Sequence, residues 1–423
     1  MDMRNRLIVM NFLQFAVWGA YLTSMGRYLG GVGLGDVIGW FYAMQGIVSL
    51  FMPAVMGIVA DRWVPAQRLL GYCHLLSGLL MIAAGVYGLA SGITGVEFAP
   101  LFALYSLSVA FYMPTLGLAN SVAYTALDRV HLDSVKAFPP IRTFGTIGFI
   151  CSMWVVDLTG FQDTAMQFVV SGLLGLLLFA YSFTLPPCAV TSGGRSKSLA
   201  EALGLKAFTL FKRRKIALFF IFSVLLGASL QITNGYANPF LDSFKSMPEY
   251  AGTFGVQHSN ILISLSQASE ALCILMIPFF LKRYGIKTVM LIAMVAWVLR
   301  FGLFGLGDPG DGVWMFVLSM LVYGVAFDFF NISGSLFIDK ETTTSMRSSA
   351  QGIFILMTNG VGATVGTLGA QAVVNSYIDM DSSLPQNEQW SHVWFIFAAY
   401  ALVVAIAFAV LFRYKHDRTP VKQ

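Results

Sequence analysis

Apolar runs of helical length, separated by short polar clusters, recur along the whole chain. A bilayer core takes roughly 20 apolar residues per helix, and the pattern predicts twelve such spans. They cover residues 7–28, 37–60, 67–90, 99–122, 138–160, 166–186, 215–238, 258–281, 287–306, 312–338, 347–375 and 391–413. No run shows the alternation, about ten residues long, of a membrane β-strand. The expected fold class is therefore an all-α polytopic membrane protein with 12 transmembrane helices.

The polar breaks set the orientation, because cytoplasmic loops retain Lys and Arg. Arg4 and Arg6 precede the first span, Arg62 and Arg68 follow the second, and Arg129 and Lys136 follow the fourth. Lys282, Arg283 and Lys287 follow the eighth span, Lys340 and Arg347 flank the tenth break, and Arg413, Lys415, Arg418 and Lys422 follow the last. The opposite loops carry mostly Asp and Glu, with Arg27 and Lys245 as their basic residues. Both termini are expected in the cytoplasm. The first span has no small-residue cleavage site after it and reads as retained.

Composition agrees with this reading and narrows the function. Of 423 residues, 57% are hydrophobic and 11% charged, too little charge to cover a soluble globule of this size. The net charge of +5 is spread by topology rather than gathered in a patch, so no nucleic-acid partner is implied. Cys73, Cys151, Cys188 and Cys273 lack CxxC spacing, and no HExxH run occurs, so neither a disulfide framework nor a metal site is indicated. The chain has no GxxxxGK[ST] run and no nucleophile and base at useful spacing. The expectation is a transporter that is not an enzyme, uses no cofactor and draws on an ion gradient.

Residues 187–214 combine a Ser/Gly-rich stretch with a short amphipathic helix and a basic cluster, and divide six spans from six. The expected domains are thus an N-terminal bundle at 1–186, a cytoplasmic linker at 187–214 and a C-terminal bundle at 215–423. The halves also read as a weak repeat: SVAFYMPTLGLANS in span four parallels YGVAFDFFNISGSL in span ten, and IRTFGTIGF parallels MRSSAQGIF. Parallel repeats joined by a linker are a transporter architecture, with substrate near the midplane between halves.

An ionised side chain at the bilayer centre costs on the order of 3 kcal/mol on insertion scales, so each one needs a reason. Arg142, Glu270, Arg300 and Asp328 stand out, with Asp157 nearer a span end. Glu270 shares a helix face with Gln267, and Gln231 shares one with Asn234. Such amides and carboxylates can hydrogen-bond a hydroxylated ligand, or they can hold helices together. Asp328, between Phe327 and Phe329, can carry a proton if it is neutral in one conformation and ionised in another. The competing reading is a fixed ion pair with Arg300 or Arg347. Arg142, Thr146 and Phe149 share a face, and Tyr323 and Phe327 lie four apart, as do Phe327 and Asn331. Rings of this kind stack on a flat base for about 1 to 3 kcal/mol. Asn11, Gln14, Trp18, Gln45 and Asn359 form further polar faces whose simplest role is helix packing.

The stretches NFLQFAVWGAYL, FMPAVMGIVADRW, FYMPTLGLANS, FPPIRTFGTIGFI, FFIFSVLLGASLQITN, SLSQASE, PFFLKRYGIK, VAWVLRFGLFGLGDP, YGVAFDFFNISGS and SAQGIFILMTNG span nearly the whole chain. On these, the sequence resembles the nucleoside:proton symporter family of the major facilitator superfamily. One departure is that WVPAQR follows Asp61 and Arg62, where the superfamily expects a glycine and paired basic residues. The resemblance implies two six-helix bundles and nucleoside:proton symport into the cytoplasm by alternating access, in a bacterial inner membrane, by a monomer. It implies proton coupling at Asp328 or Glu270. It places Arg142, Thr146, Gln231, Asn234, Gln267 and Glu270 on the substrate, with Phe149, Tyr323 and Phe327 stacking. A proton-coupled sugar or oligosaccharide symporter is the alternative, since those also use aromatic platforms.

Overall fold

The computed structural model describes residues 2–188, 205–342, 347–379 and 382–414, so most of the expected linker lies outside the described residues. All twelve apolar runs are helical where they are described. The first is α1 (Met3–Gly19) and α2 (Met25–Gly31), separated by a turn, and the second is α3 (Ile38–Ser49) with α4 (Met52–Arg62). Next come α5 (Ala66–Ser91), α6 (Phe98–Arg129), α7 (Ser134–Leu158) and α8 (Met166–Ser182). The seventh run is α9 (Arg214–Ser243), followed by a four-residue turn of helix, α10 (Phe254–Gln257).

Runs eight and nine form α11 (Ser259–Leu306), 48 residues long and broken where Gly285 takes φ 77°. A left-handed residue there suits glycine, which has no Cβ to oppose it. Then follow α12 (Val313–Glu341), α13 (Arg347–Ile355), a π-helical segment Leu356–Gly362, α14 (Ala363–Tyr377) and α15 (Gln386–Leu411). Among the described residues, eight helices are long and apolar enough to cross a membrane, or nine if the pair Gly35–Ser49 and Met52–Ala60, bent by 41°, is one span. Run six is a shorter apolar helix, and runs eight and nine share the single broken α11.

The chain divides into two compact units. One is Met1–Leu203 with Asn234–Pro239, and the other is Gly204–Thr233 with Phe240–Gln423. In the first unit, small residues let helices touch. Gly78 of α5 and Gly172 of α8 each face the other's carbonyl, and Gly148 of α7 faces the Phe12 carbonyl of α1. Near one end, Leu7, Met10, Leu70, Val122, Leu127 and Ile141 form its apolar core. In the second unit, Gly324 of α12 lies against the Ser269 backbone of α11, and the Ser269 hydroxyl donates to the Leu321 carbonyl. An aromatic cluster around Phe240, Phe304, Phe316, Trp390 and Trp394 fills another part of that unit.

Candidate functional site

The contact between Gly324 and Ser269 fixes how the two most informative faces meet. It sets the SQASE turn of α11 beside the YGVAFD turn of α12, and the polar residues of the two helices gather there. The Gln267 carboxamide lies beside the Tyr323 hydroxyl, and Glu270, Arg300 and Asp328 are all near enough for their charges to act on that phenol. Asp328 and Glu270 are likewise electrostatic neighbours of each other. Tyr323 and Phe327 stack with centroids 5.7 Å apart and planes within 6°, as their i, i+4 spacing predicts. Trp297, from the second arm of α11, meets Tyr323 edge-on at 6.1 Å.

Arg300 is fully buried, but it does not serve Asp328. Its Nη1 donates to the Ser319 carbonyl oxygen at 2.7 Å, Nη1 and Nη2 reach the Ser266 hydroxyl at 3.4 Å, and its Cζ sits 4.7 Å from the Tyr323 ring centre. A carbonyl, a hydroxyl and an aromatic face thus take the cation. Asp328 is 5% exposed and makes no ion pair among the described residues, and its Oδ2 has no hydrogen-bond partner. The Arg300 pairing considered from the sequence is absent, and the side chain of Arg347 lies outside the described residues.

Gln231 and Asn234 both lie on α9, Gln231 buried and Asn234 in the stretch grouped with the first unit. In the first unit, Arg142 stacks its guanidinium on the Phe15 ring, 3.7 Å from the centroid. Gly145, one helical turn on, leaves room for both groups. Phe149 is buried and meets Trp18 edge-on at 6.3 Å, while Thr146 on the same α7 face is half-buried. Phe15 is a residue that sequence reasoning passed over, although it sits four residues after Asn11 and three before Trp18 on the face already singled out.

The other polar faces of the first unit hold helices together. Gln14 donates to the Thr115 hydroxyl at 2.7 Å and its Oε1 meets His74 Nε2 at 2.8 Å, joining α1, α5 and α6. Gln45 accepts from the Trp18 indole at 3.3 Å and donates to the Tyr105 hydroxyl at 2.9 Å. Arg27 pairs with both carboxylate oxygens of Asp163, at 2.6 and 3.0 Å.

The second unit also contains a narrow hollow whose lining includes Leu226, Gly227 and Leu230 of α9, Trp297, Phe327 and Asn331 of α12, and Thr358 and Asn359 of the π segment. Trp297 and Thr358 gave no sequence signal. Trp297 lies in an evenly apolar run, and a π turn is invisible to a search for a 3.6-residue period. Among the described residues no cluster of His, Cys, Asp or Glu could hold a metal ion, and all four cysteines are unpaired.

Comparison with known proteins adds an independent line. The family model described as nucleoside H+ symporter matches residues 1–417. The nucleoside permease NupG of Escherichia coli is 46% identical over 424 residues, covering 99% of this chain and 98% of that one. The xanthosine permease of Escherichia coli is 45% identical, covering 100% and 99%. The crystal structure of the nucleoside transporter NupG superposes with a TM-score of 0.89 at 45% identity, over 98% of this chain and all of the other. The inward-open xylose transporter XylE of Escherichia coli, at 14% identity and a TM-score of 0.66, shares the fold alone.

Proposed function

Because the chain belongs to the nucleoside H+ symporter family, we propose that its second unit carries the proton and much of the nucleoside contact, in residues that can be named. The protein is a secondary active transporter, a multi-pass membrane protein of the major facilitator fold that moves nucleosides together with protons. It is not an enzyme. A bacterial inner membrane is its setting, with both termini on the cytoplasmic side, where the Lys- and Arg-rich breaks lie.

One observation carries the proton assignment. Asp328 sits mid-span, buried, without an ion pair among the described residues, beside a second carboxylate in Glu270. A charge held at membrane depth without a counter-ion is costly. A proton arriving with the substrate removes that cost, and its departure restores it, so the carboxylate's state follows the transport cycle. Asp328 is the proton carrier in this reading. Glu270 neighbours both Asp328 and the Tyr323 phenol, and so connects the proton to the substrate.

The nucleoside is held by two kinds of contact. The parallel Tyr323–Phe327 pair provides flat apolar faces for a base, and Phe149 beside Trp18 provides another in the first unit. Gln231, Asn234, Gln267, Glu270, Arg142 and Thr146 supply donors and acceptors for the hydroxyls and the base. With protonation and substrate binding linked, only the doubly loaded and the empty carrier should exchange sides, which is the requirement of symport by alternating access.

The test is uptake of radiolabelled uridine into proteoliposomes under an imposed proton gradient, acid outside. Uridine should accumulate above its external concentration, and alkaline-loaded vesicles should acidify inside as it enters. Uptake that never passes equilibration, or that is competed by sugars and not by nucleosides, overturns the reading.

A further inference from the structure

Arg142 and Phe15 meet more closely than a long flexible cation and a ring need to. The guanidinium carbon lies 3.7 Å from the Phe15 ring centre, and a guanidinium tipped on edge at that distance would drive a nitrogen into the ring. The group therefore lies close to flat on the aromatic face. Its N–H bonds all lie in its own plane and point outward, so the stack covers one face of the cation and leaves the donors at its edge. Both side chains are half-buried, so the stack is not enclosed.

Three glycines of the contact between α1 and α7 set this geometry. A Cβ on Gly145 would lie 2.6 Å from Phe15 Cδ2 and 2.8 Å from Arg142 Nη1, so ring and guanidinium occupy space that only glycine leaves them. A Cβ on Gly148 would overlap the Phe12 carbonyl, and one on Gly19 would overlap the Phe149 carbonyl. These backbone contacts fall three residues before Phe15 and four after it. They fix the distance of the Phe15 ring from the α7 face that carries Arg142, Thr146 and Phe149.

We propose that Phe15 is a positioning residue for the nucleoside, its ring holding the Arg142 guanidinium in the plane from which the cation donates to the substrate. This role rests on the assignment of Arg142 to the nucleoside and deepens it. A paired donor needs a fixed plane to match two acceptors, and a nucleoside offers such pairs in its vicinal hydroxyls and at the edge of its base. An arginine stacked in advance also loses its rotamer freedom before the substrate arrives rather than on binding it. An ammonium has no plane to hold, so lysine cannot take the place of Arg142 on this ring.

The experiment is calorimetry of uridine binding to the purified full-length protein. Wild type is compared with Phe15→Leu, Phe15→Met, Phe15→Tyr, Arg142→Gln and the double variant Phe15→Leu with Arg142→Gln. Affinity is read on the fraction that binds, so a variant that folds less well still reports it. Phe15→Leu and Phe15→Met should each weaken binding about threefold to thirtyfold. Phe15→Tyr keeps the ring and should stay within about twofold of wild type. With Arg142→Gln already in place, Phe15→Leu should have no further effect, because the ring then has no cation to hold. Unchanged affinity in Phe15→Leu and Phe15→Met, a Phe15→Tyr variant as weak as Phe15→Leu, or an equal loss with and without Arg142 each overturn the positioning role while leaving Arg142 on the substrate. Wild-type affinity in Arg142→Gln removes Arg142 from the nucleoside, and the positioning role falls with it.

Discussion

The two units treat buried polarity in opposite ways. In the first, the buried cation Arg27 holds both oxygens of Asp163, and the amides of Gln14 and Gln45 bond side chains on neighbouring helices. Two atoms left over, Asn11 Oδ1 and His74 Nδ1, belong to side chains anchored through their other polar atom, although the buried hydroxyls of Tyr28, Ser106 and Tyr236 also lack a partner among the described residues. In the second unit the buried cation Arg300 rests on a carbonyl, a hydroxyl and two rings, while Asp328 keeps an oxygen without a partner among the described residues. Satisfied networks rigidify, and unsatisfied groups at membrane depth need something from outside the protein. The first pattern is structural. The second is that of a carrier waiting for a proton and a substrate.

If the contrast is right, the largest effect comes from removing Asp328. Coupling one proton to a 100 mV potential sustains about 50-fold accumulation. In Asp328→Asn, accumulation should fall to equilibration while nucleoside exchange across the membrane persists. The measurement is counterflow beside gradient-driven uptake in the same vesicles. Concentrative uptake in this variant would mean that the proton rides elsewhere, with Glu270 the first place to look.

Next in size is the frame of the second unit. Gly227→Ala places a methyl group against the Thr358 carbonyl oxygen, backbone against backbone, with no flexible side chain to yield. Overpacking of this kind costs about 1 to 3 kcal/mol, and the variant should melt several degrees lower and lose transport together. A normal melting curve would show that α9 and the π segment are free to separate there. In the first unit, Asp163→Asn leaves a buried Arg27 facing a neutral amide. Asp163 is itself 43% exposed, so water takes up part of the loss, and about 1 to 2 kcal/mol of stability is expected. Nucleoside affinity and pH dependence of uptake should not change.

Much of this contrast was legible in the sequence, for identifiable reasons. The length of the apolar runs gave the spans, because a bilayer imposes that length. The i, i+4 rule anticipated the Tyr323–Phe327 stack, since neighbours on one helix need no tertiary information to meet. The partner of Arg300 was not legible. Whether a buried cation meets a carboxylate or a ring depends on the rotation of α11 against α12, and that rotation is set by Gly324 fitting against Ser269, a contact that sequence spacing does not reveal. The π turn was hidden for a related reason. It leaves the composition of TNGVG unchanged and alters only which carbonyl each N–H finds.

The smallest effect is the sharpest check on the first unit. Gln14→Leu keeps nearly the same volume and removes the bonds to Thr115 and His74. Interhelical hydrogen bonds in membranes average about 0.6 kcal/mol and reach about 1.7, so the melting temperature should drop only slightly. The decisive readout is the affinity for uridine, which helix glue does not touch. An unchanged KM keeps Gln14 among the structural residues, whereas a clear rise in KM with normal stability would place substrate against Gln14 itself. The Gln14 network would then join Arg142, Thr146 and Phe149 in contacting the nucleoside, and the contrast between the two units would become one of degree.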